Sequence, residues 1–344
     1  MSPLARICAT AAMCALACGC GDDARRIPAA SIAHCRTLTS DAARWLIPTD
    51  SIGRRFLDAY CAGVGPAVFQ AGPADTAETP DTLVVINWNM ALGEGELSAL
   101  VDDVRSGVIT GWRVRHFILL LQEAPRAGGG VPAAAALPDG TKASELDMFG
   151  ATDIVAFARA QRMHLLYAPS MRNGTEAPQD QGNAILSTLP LHDPEVYELP
   201  AGIRRRVAVS AVVEWPRGER LRLVSVHLDN WSPRRFIASL GSVRARQARG
   251  LAAMLPADGA LLLGGDLNTW TRGTNEAAFR TLRRLLPRPD TIDDRPTATR
   301  ANGPRKLDYL LFRGPDAWHF EERRVDRRYE SDHNPLVGVL HPRQ

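Results

Sequence analysis

Lysine is almost missing from this chain of 344 residues: only Lys142 and Lys306 occur, so 39 of the 41 basic residues are arginine. Against 38 acidic residues the formal charge is +3, too small to mark a nucleic-acid binder by charge alone. A chain this rich in Ala, Gly, Pro and Arg carries the coding bias of a GC-rich genome, so arginine position is informative and arginine abundance is not. Cysteine is scarce and crowded to one end. Cys8, Cys14, Cys18 and Cys20 lie in the first twenty residues, and only Cys35 and Cys61 follow. Cys35 with the adjacent His34 lacks the second ligand pair that a zinc site needs. No apolar run beyond the N-terminal segment is long enough to span a bilayer, and no internal repeat or low-complexity segment is present. With 45% hydrophobic and 23% charged residues the chain is neither disordered nor fibrous, and its length allows one large α/β domain or two small ones.

The first twenty residues read as an export signal. Met1 to Ala17 has one early charge, Arg6, then an uncharged stretch that ends in small residues. Ala15-Leu16-Ala17-Cys18-Gly19-Cys20 resembles a bacterial lipobox, which would acylate Cys18 or Cys20 and anchor the protein to a membrane of the cell envelope. A plain cleaved signal would instead leave a periplasmic or secreted protein. Either route leads to an oxidising compartment, where Cys35 and Cys61 are the natural disulfide pair. Residues 21–80 read as an N-terminal extension pinned onto a main domain of residues 81–342.

Short apolar runs alternate with helical stretches through that domain, the pattern of an α/β fold. Strands are expected at Leu83–Asn89, Phe117–Glu123, Met163–Pro169, Asn183–Thr188, Ala260–Asp266, Leu307–Phe312 and Leu336–Leu340. Val207–Trp215 and Leu221–Leu228 read as an antiparallel hairpin turning at Pro216-Arg217-Gly218. Helices are expected at Glu94–Arg105, Asp153–Gln161, Leu240–Leu255 and Glu276–Leu286, and loops at 124–143 and 171–182.

Several apolar runs end in, or enclose, a polar residue that a buried strand would not carry without a reason. Asn89, Glu123, His227, Asp266, Asn268, Asp308, Asp332 and His333 all occupy such positions. Strand ends converge on one edge of a layered sheet, the place where open α/β architectures bind ligands. In ALLLGGDLNTW (260–270) the apolar run halts at Gly264-Gly265, a break that would let a bulky phosphate ester approach the backbone. Oxygen-rich donors without cysteine favour Mg²⁺ or Mn²⁺ over zinc. Such a cation with two histidines and several carboxylates suits hydrolysis of a phosphate ester.

NWN (87–89), QE (122–123), GNAILS (182–187), VHL (226–228), GGDLNT (264–269), LDYLL (307–311) and SDHNPL (331–336) stand in the order of the endonuclease/exonuclease/phosphatase superfamily, which this chain resembles over Asp81 to Pro342. That superfamily has the deoxyribonuclease I-like fold and includes pancreatic-type deoxyribonuclease, abasic-site endonuclease, neutral sphingomyelinase and inositol polyphosphate 5-phosphatase. The resemblance implies a four-layer sandwich of two mixed β-sheets flanked by helices. It makes Glu123 the main Mg²⁺ ligand, with Asn89 holding the metal or a phosphate oxygen and Asp332 a further carboxylate on the metal side. Asp266 would position or deprotonate the attacking water, and Asn268 would stabilise the transition state. His333 would bond a phosphoryl oxygen or activate the water, with Asp308 fixing its tautomer, and His227 would stand beside the leaving group as in the deoxyribonuclease-like and sphingomyelinase-like branches. Asn183 is expected at the site's edge or capping a turn.

Substrate stays open at this level. A nucleic acid would be tracked by Arg204, Arg205, Arg206, Arg234, Arg235 and the cluster Arg323, Arg324, Arg327 and Arg328. A phospholipid headgroup fits the exported N-terminus and Trp231, an aromatic that could dip into a membrane interface beside His227. The third reading is a surface lipoprotein that uses this fold only to bind a partner.

Overall fold

Period-two alternation decides the architecture. In β3 (Leu83–Asn89) Leu83 and Val85 enter one apolar core, while Val84, Ile86 and Trp88 enter another. In β10 (Ala260–Asp266) Leu262 shares the first core and Leu261 and Leu263 a third. Both faces of these strands are covered, which is why their sequences read as continuous apolar runs. The computed structural model describes residues 43–46, 63–73, 81–128, 130–132, 152–173, 178–202, 204–215, 219–230, 237–270, 272–300 and 303–343. The export signal, Cys18, Cys20, Cys35, Cys61, Trp231, Arg234 and Arg235 lie outside the described residues.

Two large mixed sheets pack face to face. The seven-stranded sheet runs in the order β14 (Trp318–Arg324), β15 (Leu336–Pro342), β3, β4 (Phe117–Ala127), β6 (Gln179–Ser187), β5 (His164–Asn173) and β2 (Val68–Gln70). The six-stranded sheet runs β1 (Arg44–Leu46), β7 (His192–Glu198), β8 (Val207–Trp215), β9 (Glu219–His227), β10 and β13 (Asp308–Arg313). A small hairpin joins β11 (Ala298–Arg300) to β12 (Gly303–Arg305). Inner faces of both sheets build the central core, which includes Val85, Leu120, Ile185, Val209, Leu223, Leu262 and Leu310.

Helices cover the outer faces, giving the four layers of the deoxyribonuclease I-like sandwich. α1 (Leu97–Ser106) lays Leu97, Leu100, Val101 and Val104 against the seven-stranded sheet, a helical stripe that stops at Gly107 with φ 91°. A Cβ at Gly107 would meet the backbone of Trp112 at 2.6 Å, so this stop needs glycine twice over. α2 (Ile154–Ala160) joins the same layer, its first turn capped by Asp153, which accepts from the Ala156 N–H at 2.7 Å. α3 (Ile237–Met254) and α4 (Ala277–Leu285) close the other side through Ala248, Leu251, Phe279 and Leu282.

The sequence reading and the structure part at the polar and edge segments. β4, β5 and β6 run into segments read as loops, because their polar residues are buried and paired instead of solvated: Asp180 accepts from Arg126, Tyr167 and the Gly65 N–H. β7 (HDPEVYE) and β14 (WHFEERR) escape a hydrophobicity reading because strands at or next to a sheet edge tolerate proline and charge. Two pieces of the extension also enter the sheets, β1 beside β7 and β2 beside β5. Gly264 and Gly265 do not open a path to the backbone. A Cβ at Gly264 would meet the Asn87 carboxamide at 2.7 Å and one at Gly265 the Val226 carbonyl at 2.3 Å, so these glycines serve strand packing.

Candidate functional site

The inner-face stripe of each central strand changes from apolar to polar as it approaches one end of the sandwich. Along β3 it reads Leu83, Val85, Asn87, Asn89; along β9, Leu221, Leu223, Ser225, His227; along β10, Leu262, Gly264, Asp266. Register places the three terminal groups together: Asp266 stands opposite His227 on one side and Asp308 on the other. A polar belt closes the core beneath them, where the Gln122 amide donates to Asn87 Oδ1 on the neighbouring strand (2.9 Å) and to Ser225 Oγ on the opposite sheet (3.1 Å).

Five side chains then form a line of close approaches. Glu123 Oε1 lies 3.9 Å from His227 Nδ1, and His227 Nε2 lies 3.4 Å from Asp266 Oδ2. Asp266 Oδ2 lies 3.9 Å from His333 Nε2, which is 3.7 Å from Asp332 Oδ1. Asn89 braces the middle by donating from Nδ2 to Asp266 Oδ2 at 3.0 Å, and Asp308 braces His333 by accepting at Oδ2 from its Nδ1 at 2.8 Å. Asp266, Asp308, His227 and His333 are at most 2% exposed. Glu123 is less enclosed. A register shift between Leu121 and Ala124 and a left-handed backbone at Glu123 (φ 53°) re-aim its side chain out of the strand's alternation, and Oε2 accepts from the Leu92 N–H at 2.9 Å.

Burial, followed by the neighbouring Asp308 charge, pushes the Asp266 carboxyl up to about 7, against the opposing pull of His333 and the amides of Asn268 and Asn89. His333 moves the same way for a different reason. Burial pulls its imidazole down, but the charge and hydrogen bond of Asp308, with Asp266 and Asp332, carry it up to about 9. At neutral pH His333 is thus a cation, with Nε2 lacking a hydrogen-bond partner among the described residues. Arg206 Nη1 lies 3.2 Å from His227 Nδ1, and a guanidinium can only donate, so Nδ1 accepts and the His227 proton sits on Nε2. Burial lowers Arg206 below the usual guanidinium range, while Asp229, Glu123 and Asp266 oppose that effect.

The remaining expected residues divide. Asn268, left-handed at φ 50°, gives one amide proton to the Leu228 carbonyl (2.9 Å) and accepts from Trp270 Nε1 (2.7 Å), while its N–H holds Asp266 Oδ1 at 2.9 Å. Asn183 lies within β6 and does not cap a turn: its amide donates to the Val207 carbonyl at 2.7 Å, tying β6 to the opposite sheet next to Arg206. Arg205 departs too, being buried against Glu198. Arg323, Arg324, Arg327 and Arg328 are each held by a carbonyl, carboxylate or hydroxyl of the protein, so they are a braced rim and not a free basic patch. Sequence reasoning passed over Ser331 and Thr297. Ser331 Oγ donates to the Asn89 carbonyl (2.7 Å) and accepts from His333 N–H (3.0 Å), and Thr297 Oγ1 accepts from the N–H of Asp308 (3.1 Å). The position of Ser331 two residues before His333, as in an ST-turn, is the signal that could have found it.

A hard divalent cation fits this donor set. One atom each from Asp266, Asp308 and His333 lies within 4.8 Å of the others, but a protonated His333 offers no lone pair. Glu123 is the better anchor because its carboxylate is less enclosed and its Oε1 stands 3.9 Å from His227 Nδ1. Asn89 Oδ1, which accepts from the Ala91 N–H at 3.0 Å, and the partly exposed Asp332 carboxylate are further oxygen donors of the kind Mg²⁺ or Mn²⁺ prefers. Asp308 Oδ1 is buried without a hydrogen-bond partner among the described residues.

A model of the endonuclease/exonuclease/phosphatase family matches residues 86–333, from β3 to His333. Among solved structures, an endonuclease/exonuclease/phosphatase from Beutenbergia cavernae DSM 12333 is 18% identical, with 76% of this chain and 72% of that one covered and a TM-score of 0.49. Beta toxin from Staphylococcus aureus is 15% identical, with 74% and 99% covered and a TM-score of 0.46. Truncated Caenorhabditis elegans TDP2 is 17% identical, with 76% and 97% covered and a TM-score of 0.43. No curated protein matches the sequence.

Proposed function

The chain belongs to the endonuclease/exonuclease/phosphatase family, and from that premise we propose that it is a divalent-metal-dependent phosphodiesterase whose first substrate class is nucleic acid. The observation that carries this reading is Asp266 Oδ2, held by Asn89 between His227 at 3.4 Å and His333 at 3.9 Å. Asp266, with a proton affinity near neutrality, takes a proton from the attacking water. His333, cationic and locked on Asp308, presents Nε2–H to a phosphoryl oxygen. His227, held in its Nε2–H form by Arg206, donates on the leaving-group side. When bound by Glu123, Asn89 and Asp332, the metal supplies Lewis-acid neutralisation of charge on the phosphoryl group.

Export and lipid anchoring through Cys18 or Cys20 belong to the same proposal and set the protein in a bacterial envelope. The competing substrate is a phospholipid headgroup, and one assay separates the two. The protein and His333→Ala are incubated with supercoiled plasmid, RNA, sphingomyelin vesicles and bis(p-nitrophenyl) phosphate, each with Mg²⁺, Mn²⁺ or EDTA. Metal-dependent nicking absent from the variant supports the nuclease reading. Headgroup release with DNA untouched transfers the assignment to lipid, and no hydrolysis of any substrate by folded, metal-bound protein favours a binding role.

A further inference from the structure

A second histidine–carboxylate group lies toward the opposite end of β15 from His333. β14 and β15 pair antiparallel with His319 directly opposite His341, and Glu321 stands two residues along β14 on the same face. The imidazole centroids are 5.1 Å apart, and one donor atom from each of His319, Glu321 and His341 lies within 4.8 Å of the others. His341 Nδ1 is 2.9 Å from the Pro342 carbonyl oxygen, which can only accept. Nδ1 therefore carries the proton and Nε2 keeps its lone pair, the orientation in which imidazoles are presented to metals. His319 Nε2 meets Glu321 Oε1 at 2.8 Å.

We infer that His319, Glu321 and His341 form a second metal site, selective for Zn²⁺ and separate from the oxygen-rich centre around Asp266. Two imidazoles and one carboxylate are a zinc donor set, whereas Mg²⁺ takes oxygen ligands. Zinc–ligand bonds of about 2.1 Å put tetrahedral donors roughly 3.4 Å apart, so Glu321 must swing away from His319 by about half an ångström. His319 is 40% and Glu321 68% exposed, which leaves both free to move that far. Nearby Arg323 is drawn toward the Ile109 carbonyl, to which its Nη2 donates. β14 is the outermost strand of its sheet, and the ion clamps it to β15, the strand that follows His333.

The test uses tag-free, metal-stripped protein in excess Mg²⁺, with Zn²⁺ binding followed by calorimetry and Co²⁺ binding by its visible absorption. His319→Gln and His341→Gln should each lose one zinc equivalent and the tetrahedral cobalt band, while hydrolysis in Mg²⁺ is unchanged. Glu123→Gln should keep both signals. Saturating zinc should raise Tm by a few degrees in the parent and not in the histidine variants. Undiminished zinc binding in both histidine variants, loss of it in Glu123→Gln alone, or no zinc binding by the parent would overturn the assignment and leave a surface ion pair.

Discussion

Asp180 and Asp266 are both aspartates buried to within 1% of full enclosure on strands of the same sandwich, and their surroundings are opposite. Asp180 accepts from Arg126 Nε (2.9 Å) and Nη2, from the Tyr167 hydroxyl (2.7 Å) and from the Gly65 N–H (2.8 Å). A guanidinium matches its charge. Asp266 accepts from one amide side chain and one backbone N–H, and its charged neighbours include a second carboxylate, Asp308. The buried pairs Arg205–Glu198 and Arg244–Glu276 follow the Asp180 pattern. Where the fold needs only stability it supplies arginine; around Asp266 it supplies histidines and amides, groups able to exchange protons and hydrogen bonds with a substrate.

Exchanging each aspartate for asparagine separates the two roles most sharply. Asp266→Asn should lower kcat by about 10³-fold or more while leaving urea stability equal or higher, because it removes a base and relieves carboxylate repulsion. Asp180→Asn should do the reverse, costing about 3–5 kcal/mol in urea titrations by stranding Arg126, while kcat of the folded fraction holds. The comparison breaks if the two variants exchange phenotypes.

Acidity offers the next test. Asp266 rises from 3.8 to about 7 on folding, so its contribution is present below 3.8 and lost as pH climbs through 7. His333 rises from 6.5 to about 9, so its contribution is present below 6.5 and lost through 9. Metal-free protein should therefore lose a few kcal/mol between about pH 4 and pH 9, measurable by urea unfolding in EDTA. Mg²⁺ or Mn²⁺ should restore much of the loss at the alkaline end.

Smaller effects are expected outward from the cluster. Arg206→Gln should reduce kcat by roughly 10–100-fold with little change in KM and a shifted pH–rate profile, since it releases the His227 tautomer. Arg327→Ala removes a half-exposed pair with Asp103 and should change stability by less than about 1 kcal/mol. If the substrate is nucleic acid, the same change should reduce the salt slope of binding by about 1.

Much of this site was legible because each strand's apolar stripe breaks off at a polar residue, as at Asn89, His227 and Asp266. The sandwich was legible through the resemblance carried by seven ordered motifs. What stayed hidden was polarity spent inside the protein. Asp180 and Arg126 look solvated in a sequence and are buried; Arg205 looks like a ligand contact and is consumed by Glu198. Spacing along one strand does not report which side chain of the neighbouring strand a residue meets, and so Arg206 could be placed near the substrate but not against His227.

The most direct measurement is the initial rate of bis(p-nitrophenyl) phosphate hydrolysis across a Mg²⁺ titration at pH 8, for the protein and for Asp266→Asn. The account predicts no rate in EDTA, a saturable rise with metal in the parent, and a flat response in the variant even though it still binds the ion. Hydrolysis that persists in EDTA, or an equal metal response in the variant, would contradict it.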